Sequence, residues 1–159
     1  MILLDGLHAS WFAGGARDDD PASIDLRSVG SIAKFAERAA HGEKVFYFSH
    51  SQIGTDYPST TRTGRALLAK LHLKATPVEP DEPAAQGPYG LEWKADEEGF
   101  HLRGFRGRDA HAHCDHLRHF DEGLGDIVER AWQTPEAAEP PAELPGEPSE
   151  PGHEAAQEP

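Results

Sequence analysis

The fold class that this sequence predicts is α/β: a three-layer domain on a parallel sheet, with a C-terminal β-hairpin and a last helix. Three observations predict it. Apolar runs of strand length end in polar clusters instead of alternating, as in MILLDGLHAS (1–10) and KVFYFSHS (44–51), which is the signature of strands buried on both faces. Stretches of helical period lie between and after them. The signals follow the order β-α-β-α-β-hairpin-α, which implies right-handed crossovers onto one sheet.

Each element has its own warrant. Ile2–Leu4 are three large apolar residues closed by Asp5 and Gly6, a buried strand ended by a turn. Residues 14–27 are rich in Asp and Gly and read as loop. In SVGSIAKFAERAAHGEK (28–44), Ile32, Phe35, Ala36 and Ala39 fall at i, i+3, i+4 and i+7. Ser28 or Ser31 is the expected cap of this helix and Gly42 its stop. The run 44–51 is the second strand. A helix is predicted over about 61–73, with Leu67, Leu68 and Leu71 inward, followed by a short strand at ATPVEP (75–80). LEWKADEEGFHLRGF (91–105) predicts a hairpin about a DEEG turn. In it Leu91, Trp93 and Ala95 share one face, and Phe100 and Leu102 another. The last helix, about 111–132, has Leu117, Phe120, Leu124, Ile127 or Val128, and Ala131 as its stripe. Trp11, Trp93 and Trp132 read as packing residues.

The chain has 159 residues, enough for one domain, assigned to 1–133. Residues 134–159 hold seven prolines and seven glutamates and neither Lys, Arg nor an aromatic. Such a segment cannot bury enough apolar surface to offset its ordering entropy and is expected to be a disordered tail. It carries seven of the thirteen net negative charges. The acidic body lacks the basic run that phosphate backbones require, so nucleic acid is not an expected partner. The three arginines of HLRGFRGR (101–108) form only a local patch. No window reaches the roughly 18 apolar residues of a membrane span, and no secretory signal pattern is present. One cysteine, Cys114, fits a reducing compartment. A soluble cytoplasmic protein is expected.

In α/β sheets chemistry gathers at the carboxyl ends of the strands. Asp5, Gly6 and His8 follow the first strand, Ser49, His50 and Ser51 the second, and Asp109, His111 and His113 lie in the expected loop before the last helix. The run HAHCDH (111–116) has the form H-x-H-x-D-H and resembles the ligand motif of the metallo-β-lactamase zinc hydrolases. The motif there follows a hydrophobic strand and is completed by ligands far downstream. Here GFRGRDA precedes it, and only His119 and His153 follow. The expectation is therefore no cofactor. The alternative is zinc in a metal-dependent hydrolase, with His111, His113, Asp115 and His116 as ligands.

Four segments taken in order resemble the C-terminal half of an uncharacterised bacterial α/β-hydrolase-like family over roughly residues 1–132. They are LLDGLHASW, IAKFAERAAHGEKVFYFSHSQI, YPSTTRTGRALL and AHCDHLRHF. In that fold the triad runs Ser, then acid, then His. The resemblance assigns the acid to Asp5 and the histidine to His113, and implies ester or amide hydrolysis in the complete family. His8, Ser49, His50 and Ser51 are the candidate substrate-binding residues, with Ser49 and Ser51 also considered as nucleophiles and Cys114 as a reactive thiol. The departure is the nucleophile elbow, G-x-S-x-G, which the chain lacks; SHSQIG (49–54) is not one. The expectation is a domain fragment carrying acid and histidine without the serine, with little or no activity alone. Its expected partner is a separately encoded N-terminal hydrolase half, with gene truncation and decay as other origins of the pattern. A non-enzymatic interaction module with the acidic tail as a tether is the remaining alternative.

Overall fold

The computed structural model describes residues 1–118, 124, 125 and 127–129, with the backbone alone for 116–118. Its centre is a five-stranded sheet of β1 (Ile2–Leu4), β4 (Phe46–His50), β5 (Thr76–Pro77), β6 (Leu91–Glu97) and β7 (Phe100–Phe105), ordered β1-β4-β7-β6-β5. β1, β4 and β7 run parallel, whereas β6 is antiparallel to both β7 and β5. The sheet is mixed, and this corrects the expected parallel one. The physical reason is the hairpin. A two-residue reversal at Glu98–Gly99 forces β6 and β7 into antiparallel pairing, and β5 then adds to the outer edge of β6.

Two short strands, β2 (Ser10–Trp11) and β3 (Ile24–Asp25), pair antiparallel as a separate ribbon. From sequence, residues 14–27 read as loop, yet they contain β3. A two-residue strand has too few positions to display a period, so no pattern marks it.

The helices α1 (Gly30–Ala40) and α2 (Thr60–Leu71) lie where periodicity placed them. Ala33, Ala36 and Ala39 of α1 and Ala66, Leu67 and Leu68 of α2 join Phe46, Phe48, Trp93, Ala95, Phe100 and Leu102 in one core. Small residues on α1 let it approach the sheet closely. Its start differs from the expectation. A 3-10 turn, Leu26–Val29, leads into it, and Asp25 caps that turn through the Arg27 amide, while Ser28 Oγ donates to the Asp25 carbonyl. Gly42, at φ +78°, ends the helix as expected. Ser59 caps α2 by accepting the Arg62 amide at 3.3 Å.

The other face of β4 is covered by Leu124 and Ile127, packed with Tyr47, Leu4, Val45 and Val128. Residues 124 and 125 and 127–129 are helical, and α3 (Ala110–Arg118) precedes them. Helical segments thus lie on both faces of the sheet. Trp132 and the expected tail at 134–159 lie outside the described residues, as does the side chain of His116. Among the described residues no helix is long and apolar enough to cross a membrane.

Within the hairpin one facing is corrected. Ala95 lies opposite Leu102, and Trp93 opposite Gly104. Directly opposed residues share a face, so Trp93, Ala95, Phe100 and Leu102 enter one core. Leu91 leaves it because a register shift separates it from Trp93; it packs with Val78 and Ala85 instead. Gly104 leaves room for the Trp93 ring, since a Cβ built at 104 would overlap the indole. Replacing Gly104 by Ala is expected to lower stability by about 1–3 kcal/mol, the usual cost of overpacking. Chemical denaturation of G104A checks this. A midpoint equal to wild type would show that Trp93 has room to move.

Candidate functional site

Three parallel strands point their carboxyl ends at the same edge. Asp5 follows β1, Ser51 follows β4, and the segment 106–109 follows β7 into α3. The Asp5 amide donates to the Ser49 carbonyl at 2.8 Å, and the Gln52 amide donates to the Gly107 carbonyl at 2.9 Å. Ladder bonds therefore fasten the three strand ends together just where the polar residues lie.

Gly107 adopts φ +97°, and a side chain there would overlap Tyr89 and Ala112. This turn leads directly into α3. Asp109 Oδ1 accepts the Ala112 amide at 2.9 Å and closes the first helical turn. His111 and His113 consequently lie in the first turn of α3, at the boundary where the sequence places both the end of the loop and the start of the helix expected over about 111–132. A helical turn gives His113 a fixed direction, which a loop would not.

Asp5 is buried, 5% exposed, and is the hub of the site. Its Oδ1 accepts the Ser51 amide at 3.1 Å and Thr60 Oγ1 at 2.5 Å. Its Oδ2 accepts Ser51 Oγ at 2.5 Å and is 2.8 Å from His113 Nδ1. Burial pushes the carboxyl's affinity for a proton up. The donors from Ser51, Thr60 and His113, with the Ser51 amide, together outweigh burial and hold Asp5 at about 2, below its ordinary 3.8. Asp5 is thus ionised at neutral pH and only accepts, so His113 Nδ1 carries the proton of their bond. The other ring nitrogen, Nε2, is the one left to face outward, and the His113 side chain is 54% exposed.

Asp5 also has φ +46°, the left-handed region. Asp is among the few side-chain-bearing residues that tolerate it, at a cost of about 1–2 kcal/mol. The turn this creates directs the carboxylate into the cluster of donors.

The other candidates sit as follows. Ser51 is buried and bound to Asp5. Ser49 and His50 are wholly enclosed; His50 packs against Trp93, with ring centroids 4.9 Å apart, and its Nδ1 is 3.1 Å from Thr61 Oγ1. His8 is exposed, with Nδ1 3.3 Å from the Pro58 carbonyl and its ring edge-on to Tyr57. Cys114 is exposed. Among the described residues no three His, Cys, Asp or Glu side chains converge as a metal site, and His113 directs Nδ1 at Asp5.

Sequence reasoning missed Thr60 and a group of arginines. Thr60 begins a helix, and nothing local says that its hydroxyl reaches a carboxylate 55 positions away. Arg62, Arg65 and Arg108 line a cleft of about 320 Å³ with Asp19, Gln52, Ile53, Gly54, Ser59 and Thr61. The signal for two of them was present: Arg62 and Arg65 are three apart, hence on one helical face. Comparison of the chain with protein-family models, curated proteins and solved structures returns no match.

The depressed Asp5 value has a signed consequence. A carboxyl held below its unfolded value contributes stability that is present above about pH 4 and lost as the pH falls through the folded value near 2. A carboxyl lowered from 3.8 to about 2 corresponds to about 2.5 kcal/mol. Asp5→Asn is expected to destabilise the protein at pH 7 by about that amount and to flatten the acid limb between about pH 4 and 2. Urea unfolding of both proteins across that range checks it. Parallel acid limbs would show that Asp5 is not the group responsible.

Proposed function

We propose that the chain carries the acid and the base of an acyl-transfer site that hydrolyses an ester or amide, and that a second polypeptide, a separately encoded N-terminal half, supplies the serine. The observation that carries this reading is the 2.8 Å contact between His113 Nδ1 and Asp5 Oδ2, made across 108 positions of sequence. A buried, ionised carboxylate on Nδ1 fixes the tautomer in which Nε2 can accept a proton, and it stabilises the imidazolium that results. In the step this serves, a hydroxyl attacks the acyl carbon and gives its proton to Nε2 as the new C–O bond forms. When the ester or amide bond breaks, Nε2 returns that proton to the departing alkoxide or amine. Water then repeats the sequence on the acyl intermediate, and the hydroxyl is restored.

The external nucleophile is supported by the hydroxyls near the dyad. Ser51 Oγ and Thr60 Oγ1 both donate to Asp5, which turns their protons away from His113. The partner is supported by β1, an outer strand of the sheet whose Ile2 is 45% exposed. An outer strand with an apolar residue in solvent is a template for another strand.

Two measurements test this. Nitrogen-15 NMR of the imidazoles should show His113 as the Nδ1–H tautomer near pH 8, against the Nε2–H form that isolated histidine prefers, and Asp5→Ala should revert it. With an activated nitrophenyl ester, the chain alone is expected to turn over no faster than His113→Ala. An Nε2–H tautomer in the wild type would end the acid–base reading. Turnover by the chain alone that His113→Ala abolishes would end the claim of an external nucleophile.

A further inference from the structure

The cleft beside the dyad has a charge that the rest of the body does not. Three arginines and one aspartate line it, in a chain with 28 acidic and 15 basic residues. Arg62 is committed, with Nε 2.7 Å from Asp19 Oδ1 and its guanidinium over the Trp11 ring at 5.4 Å. Arg65 and Arg108 are exposed, and among the described residues neither forms an ion pair. They come from different elements, α2 and the segment after β7, and meet on one concavity. An acidic protein does not need two uncommitted guanidinium groups on one wall for solubility, and their planar forks match carboxylate and phosphate oxygens. Ser59, Thr61 and Arg62, at the N-terminal end of the 12-residue α2, line the same space, and the helix dipole there favours negative charge. The volume suits a small molecule, near the lower end of the roughly 300–1,000 Å³ usual for ligand sites.

The cleft also adjoins the dyad through the chain itself. Gln52 and Thr61 line it, and their neighbours Ser51 and Thr60 hold Asp5. Consecutive Cα atoms are about 3.8 Å apart. On its other side Arg108 is five positions before His113 and follows Gly107, whose carbonyl accepts the Gln52 amide.

We propose that this cleft is an anion subsite in which Arg65 and Arg108 hold a carboxylate or phosphate group of a small ligand. Taken with the acyl-transfer reading, on which this second part rests, the substrate is an anionic ester or amide whose charged end is anchored there while its scissile bond faces His113.

Titration with succinate and, separately, with inorganic phosphate, followed through the arginine side-chain NMR signals, tests the subsite without any reaction. Saturable shifts of Arg65 and Arg108 are expected with one or both anions. Arg65→Ala and Arg108→Ala should each weaken binding about tenfold, Arg38→Ala on α1 should not, and added chloride should weaken binding by screening. Succinate binding alone would assign the subsite to carboxylates and phosphate binding alone to phosphoryl groups. His113→Ala is expected to bind as wild type, so the subsite stands or falls independently of the dyad. No saturable binding of either anion, binding untouched by both arginine substitutions, or loss of binding in His113→Ala would overturn the proposal.

Discussion

A carboxylate removed from water is costly unless other donors replace the water it has lost. Asp5 faces that constraint at the end of β1, and the arrangement of the strand ends answers it. One donor is a backbone amide after β4, two are hydroxyls from Ser51 and the first turn of α2, and the fourth is the imidazole of α3. No two neighbouring residues could supply that set. The donors converge because β1, β4 and β7 are parallel and end together, so the carboxylate's charge and the topology of the sheet depend on each other.

A second carboxylate–imidazole pair in the same molecule clarifies what is special about the first. Asp96 and His101 face each other across β6 and β7, with Oδ1 and Nδ1 2.7 Å apart, and Arg103 joins them. Burial raises the Asp96 carboxyl, but His101 and Arg103 bring it down to about 2. There, however, the acid is the exposed member, 43% against 11% for the histidine. At Asp5 and His113 the order is reversed, 3% against 54%. A covered acid under an uncovered imidazole can present a nitrogen to a ligand. A covered imidazole under an uncovered acid ties two strands and presents little.

The charges around the site follow the same logic of position over composition. The chain is acidic in bulk, yet the cleft beside the dyad gathers arginines from α2 and from the segment leading to α3. The same turn at Gly107 that starts α3 carries Arg108 to the cleft wall and sets His113 one helical turn later. The left-handed conformation of Asp5 and the positive φ of Gly107 thus fall on the two segments that bring the carboxylate, the imidazole and the arginine-lined cleft together.

Much of this could be read from residues alone. Periodicity located α1, α2 and the hairpin, because a buried helical stripe and a turn-bounded pair of strands leave local marks in the order of apolar residues. Placing polar clusters after apolar runs put Asp5 and His113 among a wider group of strand-end candidates, since chemistry in such sheets collects there, and it was the family resemblance that paired the two. What the order of residues did not carry was anything fixed by pairing across the fold. The antiparallel pair of the hairpin was expected, but its place within the sheet, between β4 and β5, followed from the β4–β7 and β5–β6 contacts, and the shared face of Trp93 and Leu102 followed from register. The ribbon of β2 and β3 was too short to have a period. The enclosure of His50, the commitment of Ser51 and Thr60 to Asp5, and the placing of Arg65 and Arg108 on one cleft depend on the packing of distant positions. Sequence determines which groups exist and which local segments they ride on; only the packed sheet decides which of them touch, because burial and hydrogen bonding act across space and not along the chain.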